Sequence, residues 1–233
     1  MRELLAAGTR PVRDVWLAQG LDPAPILDEI VELSRRHGAA VRRVTRRQVE
    51  TEARTDSPQG VLAHARPLPE HDLEELCRGP GHAAPFLLAV DGVTDPHNLG
   101  ALLRSADGAG VTGALLPRHR AVHVTPAVTK AAAGAVERVP MAVVPGLPSA
   151  LARARELGLW TVGLDPGGEQ SLFELDLGRQ PLVVVLGAEG PGLSRLARAR
   201  CDVVAKIPLR GAIPSLNVAA AGTLALFEVS RHR

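Results

Sequence analysis

The sequence is short of several residue types, and each shortage excludes a class of protein. Tyrosine is absent and aromatic residues make up 2% of the 233 residues, so the chain lacks the rows of stacking rings found in many single-strand nucleic-acid binders. Its two cysteines, Cys77 and Cys201, stand far apart, which argues against a disulfide scaffold and a thiolate zinc site. No apolar run approaches the roughly 20 residues of a membrane span, and the first residues lack the apolar core of a secretory signal. We therefore expect a soluble, cytoplasmic protein with no membrane partner and no bound metal.

The charge of the chain is nearly balanced, but its basic residues are unevenly distributed. Hydrophobic residues account for 45% and charged residues for 22%, with a net charge of +2, which is the composition of a folded globular chain. Six arginines and no acid lie between residues 35 and 47: Arg35, Arg36, Arg42, Arg43, Arg46 and Arg47. Because guanidinium groups bind phosphate in a bidentate fork, this run indicates either a phosphate-contacting face or an ordinary solvated surface.

The first part of the chain has the pattern of a small α/β unit. Apolar alternation and helical periodicity predict one helix and three strands, at Pro23–His37 and at Val12–Ala18, Ala40–Thr45 and Gln59–Ala65. Proline and glycine then recur around one short acidic helical piece, Glu70–Leu76, a composition typical of a linker. We therefore predict a first domain at residues 1–66, a linker at 67–84 and a second domain at 85–233.

The second domain alternates short apolar strands with amphipathic helices. Six strands are predicted, at Phe86–Val90, Gly113–Leu116, Met141–Val144, Trp160–Leu164, Leu182–Leu186 and Val203–Ile207. Helices are predicted between them, the first at Asn98–Ala109, and a last helix follows at Ser215–Ser230. This alternation predicts an α/β fold with a parallel sheet covered on both faces. Because ligands bind at the carboxyl ends of the strands in such sheets, we expect a site in the loops that follow the strands.

The first loop with unusual residues is the segment 91–104. Pro96 and Gly100 suggest a tight turn from strand to helix. Asn98 lies near the predicted helix start, where it either caps the helix or faces a ligand. Arg104 follows six residues later and is either a ligand of the same site or a surface arginine.

Two further loops combine glycines with polar side chains. After the strand at Leu182–Leu186, three glycines within six residues either let the backbone approach a ligand closely or form a simple turn, and Glu189 among them would face the site. In the segment 207–217, Ser215 and Asn217 either cap the following helix or bind a substrate or cofactor. The glycine spacing does not match a dinucleotide fingerprint, which argues against a nucleotide-dependent oxidoreductase.

Taken together, the three loops resemble the signature motifs of the SpoU/TrmH family of RNA ribose 2′-O-methyltransferases. The first loop corresponds in Asp91, Asp95, Pro96, Asn98, Gly100 and Arg104, the second in Leu186, Gly187, Glu189, Gly192 and Leu193, and the third in Ile207, Pro208, Gly211 and the run from Ser215 to Val218. The match covers about residues 86–233. The segment Ser57–Val61 resembles the end of the family's ribosomal-protein-like substrate-binding domain. Within the family, the domain order is most similar to that of the bacterial 23S rRNA guanosine methyltransferases.

This resemblance implies a fold, a cofactor and an activity. The implied fold is a trefoil knot of the SPOUT type at the carboxyl-terminal end of the sheet. The implied cofactor is S-adenosylmethionine, held near Gly187, Ile207, Leu216 and Leu164. The implied assembly is a homodimer with the last helix in its interface and the site completed across it. The implied activity is methylation of a ribose 2′-hydroxyl in RNA, and the implied substrate is a guanosine of 23S rRNA.

The resemblance also assigns roles to individual side chains. Arg104 would activate the ribose hydroxyl. Because a guanidinium stays protonated in proteins, we expect Arg104 to clamp a phosphate and polarise the hydroxyl rather than accept its proton. Asn98 would orient Arg104, and the hydrogen-bond frame would be completed by Glu189, Ser215 and Asn217. In the first domain, RNA would be bound by Arg42, Arg43, Arg46 and Arg47.

Three alternatives stay open at the level of the sequence. The substrate could be tRNA, or an rRNA site whose methylation confers antibiotic resistance. The chain could also be a non-catalytic relative that binds RNA only.

Overall fold

The strands in the described part of the chain form two sheets, one of three strands and one of seven. The computed structural model describes residues 1–53, 58–81, 83–119 and 121–233. They divide into two units, Met1–Pro69 and Glu70–Arg233, and each unit contains one of the sheets.

The first unit is a three-stranded sheet with helices packed against it, so the predicted small α/β fold is confirmed. Its elements are α1 (Arg2–Ala7), β1 (Val12–Ala18), α2 (Pro25–Arg36), β2 (Ala40–Val44), α3 (Arg46–Glu52) and β3 (Val61–Ala65). β1 lies in the middle, parallel to β2 and antiparallel to β3. Residues of α1, α2 and β1 form the core of the unit, and the four that are buried there are Leu5, Val15, Leu17 and Ile30.

Two helices of the first unit, α1 and α3, are missing from the sequence-based prediction. α3 begins within the arginine run, at a capping box in which Thr45 Oγ1 accepts from the Gln48 backbone N–H while Gln48 Oε1 accepts from the Thr45 N–H. This Thr-x-x-Gln signal is present in the sequence. However, only Val49 of the helix is buried, so the apolar periodicity is too weak to reveal a helix there. Ser57, the first residue of the segment that resembles the substrate-binding domain, lies outside the described residues.

The second unit is a parallel sheet with helices along the chain between its strands. Its elements are α4 (Leu73–Arg78), β4 (Phe86–Asp91), α5 (Pro96–Gly108), β5 (Gly113–Pro117), α6 (Pro126–Ala131), β6 (Met141–Val144), α7 (Leu147–Glu156), β7 (Trp160–Leu164), β8 (Gln170–Ser171), β9 (Leu182–Gly187), α8 (Arg195–Arg198), β10 (Val203–Lys206) and α9 (Val218–Arg231). The strand order is β6-β5-β4-β9-β7-β10-β8, with every pair parallel. The predicted α/β fold and its six strands are confirmed. The two-residue β8 is too short to show a period.

Helix starts in the second unit differ from the prediction because capping side chains define them. Asp72 accepts from the Glu75 N–H and starts α4 at Leu73, and Asn217 starts α9 at Val218. α4 packs into the core of the second unit through Leu76 and Cys77. The segment 67–84, predicted as a linker, therefore contains a packed helix. The domain boundaries themselves stay a prediction.

The chain crosses the sheet twice near its end. From β9 in the middle of the sheet it passes beyond β7 to β10, and it then returns to α9, which packs against α5 and β9. The knot implied by the family resemblance involves this path and stays a prediction. Among the described residues, no helix combines the length and the apolar character that crossing a bilayer requires.

Gly100 lies inside α5 rather than in the tight turn to which the sequence assigned it. The loop between β4 and α5 instead contains Gly92, whose φ of +76° favours glycine. At Gly100, an added Cβ atom would lie 2.4 Å from Ala131 Cβ and 2.9 Å from the Val128 carbonyl oxygen. Glycine is therefore needed here because α5 and α6 approach each other closely.

Replacing Gly100 by alanine is expected to destabilise the protein by about 1–3 kcal/mol, the usual cost of overpacking a close contact. The measurement is the free energy of unfolding in urea. Gly108→Ala in the same helix is the matched control, because its added Cβ would lie 3.4 Å from Phe227 Cζ, an ordinary contact, and alanine favours the helix. Equal unfolding midpoints for the two variants would contradict this reading of Gly100.

Candidate active site

Three loops meet at the carboxyl-terminal edge of the seven-stranded sheet. β4 and β9 are neighbours, so the segments that follow them, residues 92–98 and 188–194, start side by side. The segment 207–217, which connects β10 to α9, reaches the same edge and is bound there through Asn217. These are the three segments in which the sequence predicted a site.

The side chains of Asn98, Glu189 and Asn217 form one hydrogen-bonded cluster. The Asn217 amide nitrogen donates to Asn98 Oδ1 at 2.9 Å and to Glu189 Oε1 at 2.8 Å. The Asn98 amide nitrogen donates to Glu189 Oε2 at 3.3 Å. Both oxygens of the Glu189 carboxyl group accept, as an ionised carboxylate does. We call these three side chains the amide–carboxylate cluster.

The helix caps at the site explain which side chains are available to the cluster. The alternative that Asn98 is a cap is wrong, because Asp95 caps α5 by accepting from the His97 N–H at 2.8 Å. Asn98 lies in the first turn of α5, buried, and its side chain turns to Glu189. Asn217 does cap α9, since its Oδ1 accepts from the N–H groups of Ala219 and Ala220. One end of the Asn217 amide thus starts a helix and the other end joins the cluster.

Arg104 and Ser215 are not part of the cluster. Arg104 is exposed on α5, and helical geometry places it roughly 120° around the helix axis from Asn98. Within the described part of the chain, the Arg104 guanidinium makes no hydrogen bond or ion pair. The predicted orientation of Arg104 by Asn98 therefore has no contact within a single chain to support it. Ser215 is likewise exposed in the loop before α9.

A pocket of about 510 Å³ opens beside the cluster, within the usual size range of small-molecule sites. All four residues predicted near the cofactor line it: Leu164, Gly187, Ile207 and Leu216. Glu189 and Ser215 also line it, so Glu189 belongs both to the pocket wall and to the amide–carboxylate cluster. Of the nine catalytic and cofactor residues predicted in the second unit, all except Arg104 therefore lie in the pocket lining or in the adjoining cluster.

The glycines after β9 serve the fold of the loop itself. Ala188 and Gly192 exchange two backbone hydrogen bonds, each 3.0 Å long, which close a tight hairpin with Glu189 at its tip. Gly190 and Gly192 have φ values of +85° and +71°, which glycine adopts without strain. An added Cβ at Gly187 would lie 2.1 Å from the Gly192 carbonyl carbon. The glycines were expected to let the backbone approach a ligand closely. In the structure, they allow the backbone of the hairpin to approach itself.

Asp165 also lines the pocket, although no motif in the sequence predicted it. Asp165 directly follows β7, and its Oδ2 accepts from the backbone N–H of Leu193 at 3.2 Å. Asp91, at the end of β4, accepts from the next backbone N–H, that of Ser194, at 2.7 Å. An aspartate immediately after a buried strand is the signal that could have identified Asp165.

Neither cysteine provides a nucleophile. Burial raises the pKa of the Cys201 thiol to about 12 and that of the Cys77 thiol to about 11. Both thiols are therefore protonated near neutral pH, and the thiolate is the reactive form.

The four arginines predicted to bind RNA are all exposed on the first unit. Arg42 and Arg43 are successive residues of the edge strand β2, so their side chains lie on opposite faces of the sheet. Arg46 and Arg47 form the first turn of α3, and Arg46 Nε lies 3.5 Å from Glu50 Oε1. The run therefore surrounds one edge of the unit rather than forming one flat face, and its role in RNA binding stays a prediction.

Comparisons with known proteins identify relatives over the whole chain. Residues 85–227 match the model of the SpoU rRNA Methylase family, and residues 1–71 match the RNA 2′-O ribose methyltransferase substrate binding domain. The chain is 39% identical to the 23S rRNA (guanosine-2′-O-)-methyltransferase RlmB of Shewanella oneidensis, with 99% of this chain and 93% of that protein covered. It is 40% identical to the protein of the same name from Pseudomonas aeruginosa, with 99% and 92% covered.

A solved structure extends the similarity to the fold. The SpoU methyltransferase AviRb from Streptomyces viridochromogenes, crystallised in complex with AdoMet, matches with a TM-score of 0.82 at 27% identity. The match covers 99% of this chain and 87% of that one.

Replacing Asn217 by alanine should cost about 1 kcal/mol of unfolding free energy because α9 loses its cap. Asn217→Ser keeps an oxygen that can accept from the helix N–H groups, so it should recover most of that loss while still lacking the amide donor of the cluster. Urea denaturation of the two variants beside the wild type measures the difference. An alanine variant as stable as the wild type would show that the cap contributes nothing.

Proposed function

Because the chain belongs to the SpoU rRNA methylase family, we propose that it transfers a methyl group from S-adenosylmethionine to the 2′-hydroxyl of a guanosine in 23S rRNA. The observation that carries this proposal is the amide–carboxylate cluster beside a pocket lined by Leu164, Gly187, Ile207 and Leu216. An intact cluster in a chain 39% identical to a named rRNA guanosine methyltransferase favours an enzyme over a non-catalytic RNA-binding relative.

The residues of the pocket suit S-adenosylmethionine. Leucine and isoleucine side chains from the ends of β7 and β9 and from the segment 207–217 offer an apolar slot for a purine, and Gly187 lines the pocket without a side chain. Asp165 and Glu189 add negative charge, which suits a ligand with a sulfonium and an ammonium group. When bound, the cofactor supplies a methyl group on a positively charged sulfur.

The cluster fixes the geometry on the protein side of the reaction. In-line methyl transfer requires that the accepting hydroxyl is held in one orientation and loses its proton. Glu189 is held by two amides, so its carboxylate keeps one orientation at the pocket wall. Ser215 lies on the same wall and offers a hydroxyl to the substrate. Asn98 and Asn217 act by holding Glu189 rather than by contact with Arg104.

Arg104 completes the site as the phosphate clamp and the polariser of the hydroxyl. Its guanidinium is exposed and has no partner among the described residues, so it is available to RNA. We place it at the pocket of a second subunit, in a homodimer through the carboxyl-terminal domain. The support is α9, which packs on α5 yet leaves Leu224 and Phe227 about half exposed, at 44% and 48%. These two residues are three apart and so share one helix face, an apolar surface that a second copy would cover.

The same proposal includes the trefoil knot and the cytoplasmic location. The return of the chain from β10 to α9, packed between α5 and β9, supports the knot. The location follows from the rRNA substrate. In the first unit, Arg42, Arg43, Arg46 and Arg47 would grip structured rRNA through its phosphates.

The function is tested by mapping alkali-resistant ribose positions in rRNA and tRNA from a strain that lacks the gene. One guanosine of 23S rRNA should lose its 2′-O-methyl group, and the wild-type gene should restore it. A position that is lost in tRNA instead, or a strain in which none is lost, would contradict the proposal.

The role of Arg104 is tested by complementation and turnover with Arg104→Lys. Lysine keeps the charge but lacks the bidentate fork, so we expect turnover to fall by about 100-fold, the scale of a misaligned reacting group. Arg153→Lys, an exposed arginine paired with Glu74 and Glu156, is the control and should be as active as the wild type. Wild-type turnover of Arg104→Lys at every pH would exclude a role for Arg104 as a phosphate clamp and also a role as the general base.

Replacing Arg42, Arg43, Arg46 and Arg47 together by glutamine should weaken RNA binding and flatten its dependence on salt. Each phosphate contact that is lost lowers the slope of log K against log salt by about 1. The slope is measured by filter binding between low and moderate salt. Arg2→Gln in the same unit is the control, because Arg2 is already bound by Glu3 and Glu29. An unchanged slope in the quadruple variant would show that these four arginines are ordinary solvated surface residues that do not contact RNA phosphates.

A further inference from the structure

Two carboxylates hold consecutive backbone amides of the loop that carries Glu189. Asp165 Oδ2 accepts from the Leu193 N–H at 3.2 Å, and Asp91 Oδ2 accepts from the Ser194 N–H at 2.7 Å. Hydrogen bonds from an amide to an ionised carboxylate are stronger than those between neutral groups. We call Asp91 and Asp165 the carboxylate clamp.

The position of the clamp follows from the strand order. β9 lies between β4 and β7, with Asp91 opposite Gly187 and Leu164 opposite Leu186. β4 therefore ends in Asp91 and β7 is followed directly by Asp165, so both aspartates lie near the level where β9 enters its hairpin. The hairpin turns back and offers its returning amides to the carboxylates on either side.

The Asp165 side chain is itself fixed by two further contacts, and a third contact joins its two partners to each other. Arg198 Nη1 lies 2.9 Å from its Oδ1, and the Gly167 N–H donates to the same oxygen at 2.9 Å. Arg198 Nη2 donates to the Gly167 carbonyl oxygen at 2.9 Å. The Asp165 side chain is 14% exposed, so its partners replace most of the water that would otherwise bind it. A carboxylate with this many partners has one orientation.

The hairpin is shaped to admit the clamp. At Gly192, an added Cβ would lie 2.6 Å from Asp165 Oδ2, so any side chain there would displace the carboxylate. The absence of a side chain at this position therefore serves contact with Asp165 as well as the left-handed backbone.

We infer that Asp165 is a positioning residue for cofactor binding, which holds the Glu189 hairpin and the loop after β7 together as two walls of the pocket. The inference rests on the proposed function. The pocket is lined by Asp165 and Pro166 from the loop after β7 and by Gly187, Glu189 and Gly192 from the end of β9 and its hairpin. With the carboxylate removed, the two walls lose the bond that sets their separation, and the pocket must be ordered by the cofactor itself, which lowers affinity.

The experiment measures binding of S-adenosylmethionine by calorimetry, together with amide hydrogen exchange of residues 188–194 in the protein without cofactor. Asp165→Ala should raise the dissociation constant by about tenfold, the scale of one lost hydrogen bond to a charged group, and should speed exchange in the hairpin. Asp165→Asn keeps an oxygen that accepts from Leu193 and should recover part of the affinity. Arg198→Gln changes only a side chain that is 38% exposed and should give a smaller effect in the same direction.

Asp202→Ala is the matched control. Asp202 also holds β7, at its other end, by accepting from the Thr161 N–H and hydroxyl at 2.9 and 2.7 Å, and it pairs with Arg155 at 2.7 Å. Its loss should destabilise the protein comparably but leave both the dissociation constant and hairpin exchange unchanged.

The outcomes separate the inference from the proposed function. Wild-type affinity and exchange in Asp165→Ala would overturn the positioning role, as would equal weakening by Asp165→Ala and Asp202→Ala. If Asp165→Ala does not fold, Asp165→Asn and Arg198→Gln decide by the same two readouts. A wild-type protein that does not bind S-adenosylmethionine would contradict the proposed function, while hairpin exchange in the variants would still test the clamp.

Discussion

The side chain of Asn217 holds the last part of the chain against the loops that form the site. Its oxygen caps α9 and its amide nitrogen donates to Asn98 and Glu189, so one side chain both starts the helix and joins the cluster. Without Asn217, the segment 207–217 would lose its hydrogen bonds to Asn98, which follows β4, and to Glu189, which follows β9. The start of α9 and the orientation of Glu189 at the pocket are therefore fixed in part by the same side chain.

The polar groups of the site are stabilised mostly by backbone amides and by one another. Asp91, Asp165 and Asn217 each accept from backbone N–H groups, which are fixed in direction by the fold. A carboxylate held in this way needs no rearrangement when a ligand arrives, and preorganised groups of this kind are those that contribute most to binding and catalysis. The same contacts explain the glycines of the hairpin, because side chains at Gly187 and Gly192 would occupy the space of the chain and of Asp165.

The sequence predicts the strands of the second sheet well because their burial makes them continuous apolar runs. All six residues of β9, for example, are buried. α3 is missed because only Val49 of it is buried and arginine dominates its start. The three loops are found from their motifs, but their mutual contacts depend on a strand order that no local pattern contains. Asp165 is missed for the same reason, since its partner Leu193 lies 28 residues away on another strand's loop.

The predicted site residues divide into two groups according to whether the folded chain supplies their hydrogen-bond partners. Asn98, Glu189 and Asn217 find their partners within the chain, so folding alone arranges them. Arg104 and the arginines of the first unit are exposed, and a motif or a charge run identifies them without showing what they contact. Folding leaves these cations hydrated, at little cost to a surface arginine. The exposed guanidinium of Arg104, on the helix that supplies Asn98, is thus consistent with the proposed site, in which a second subunit and RNA would assemble around it.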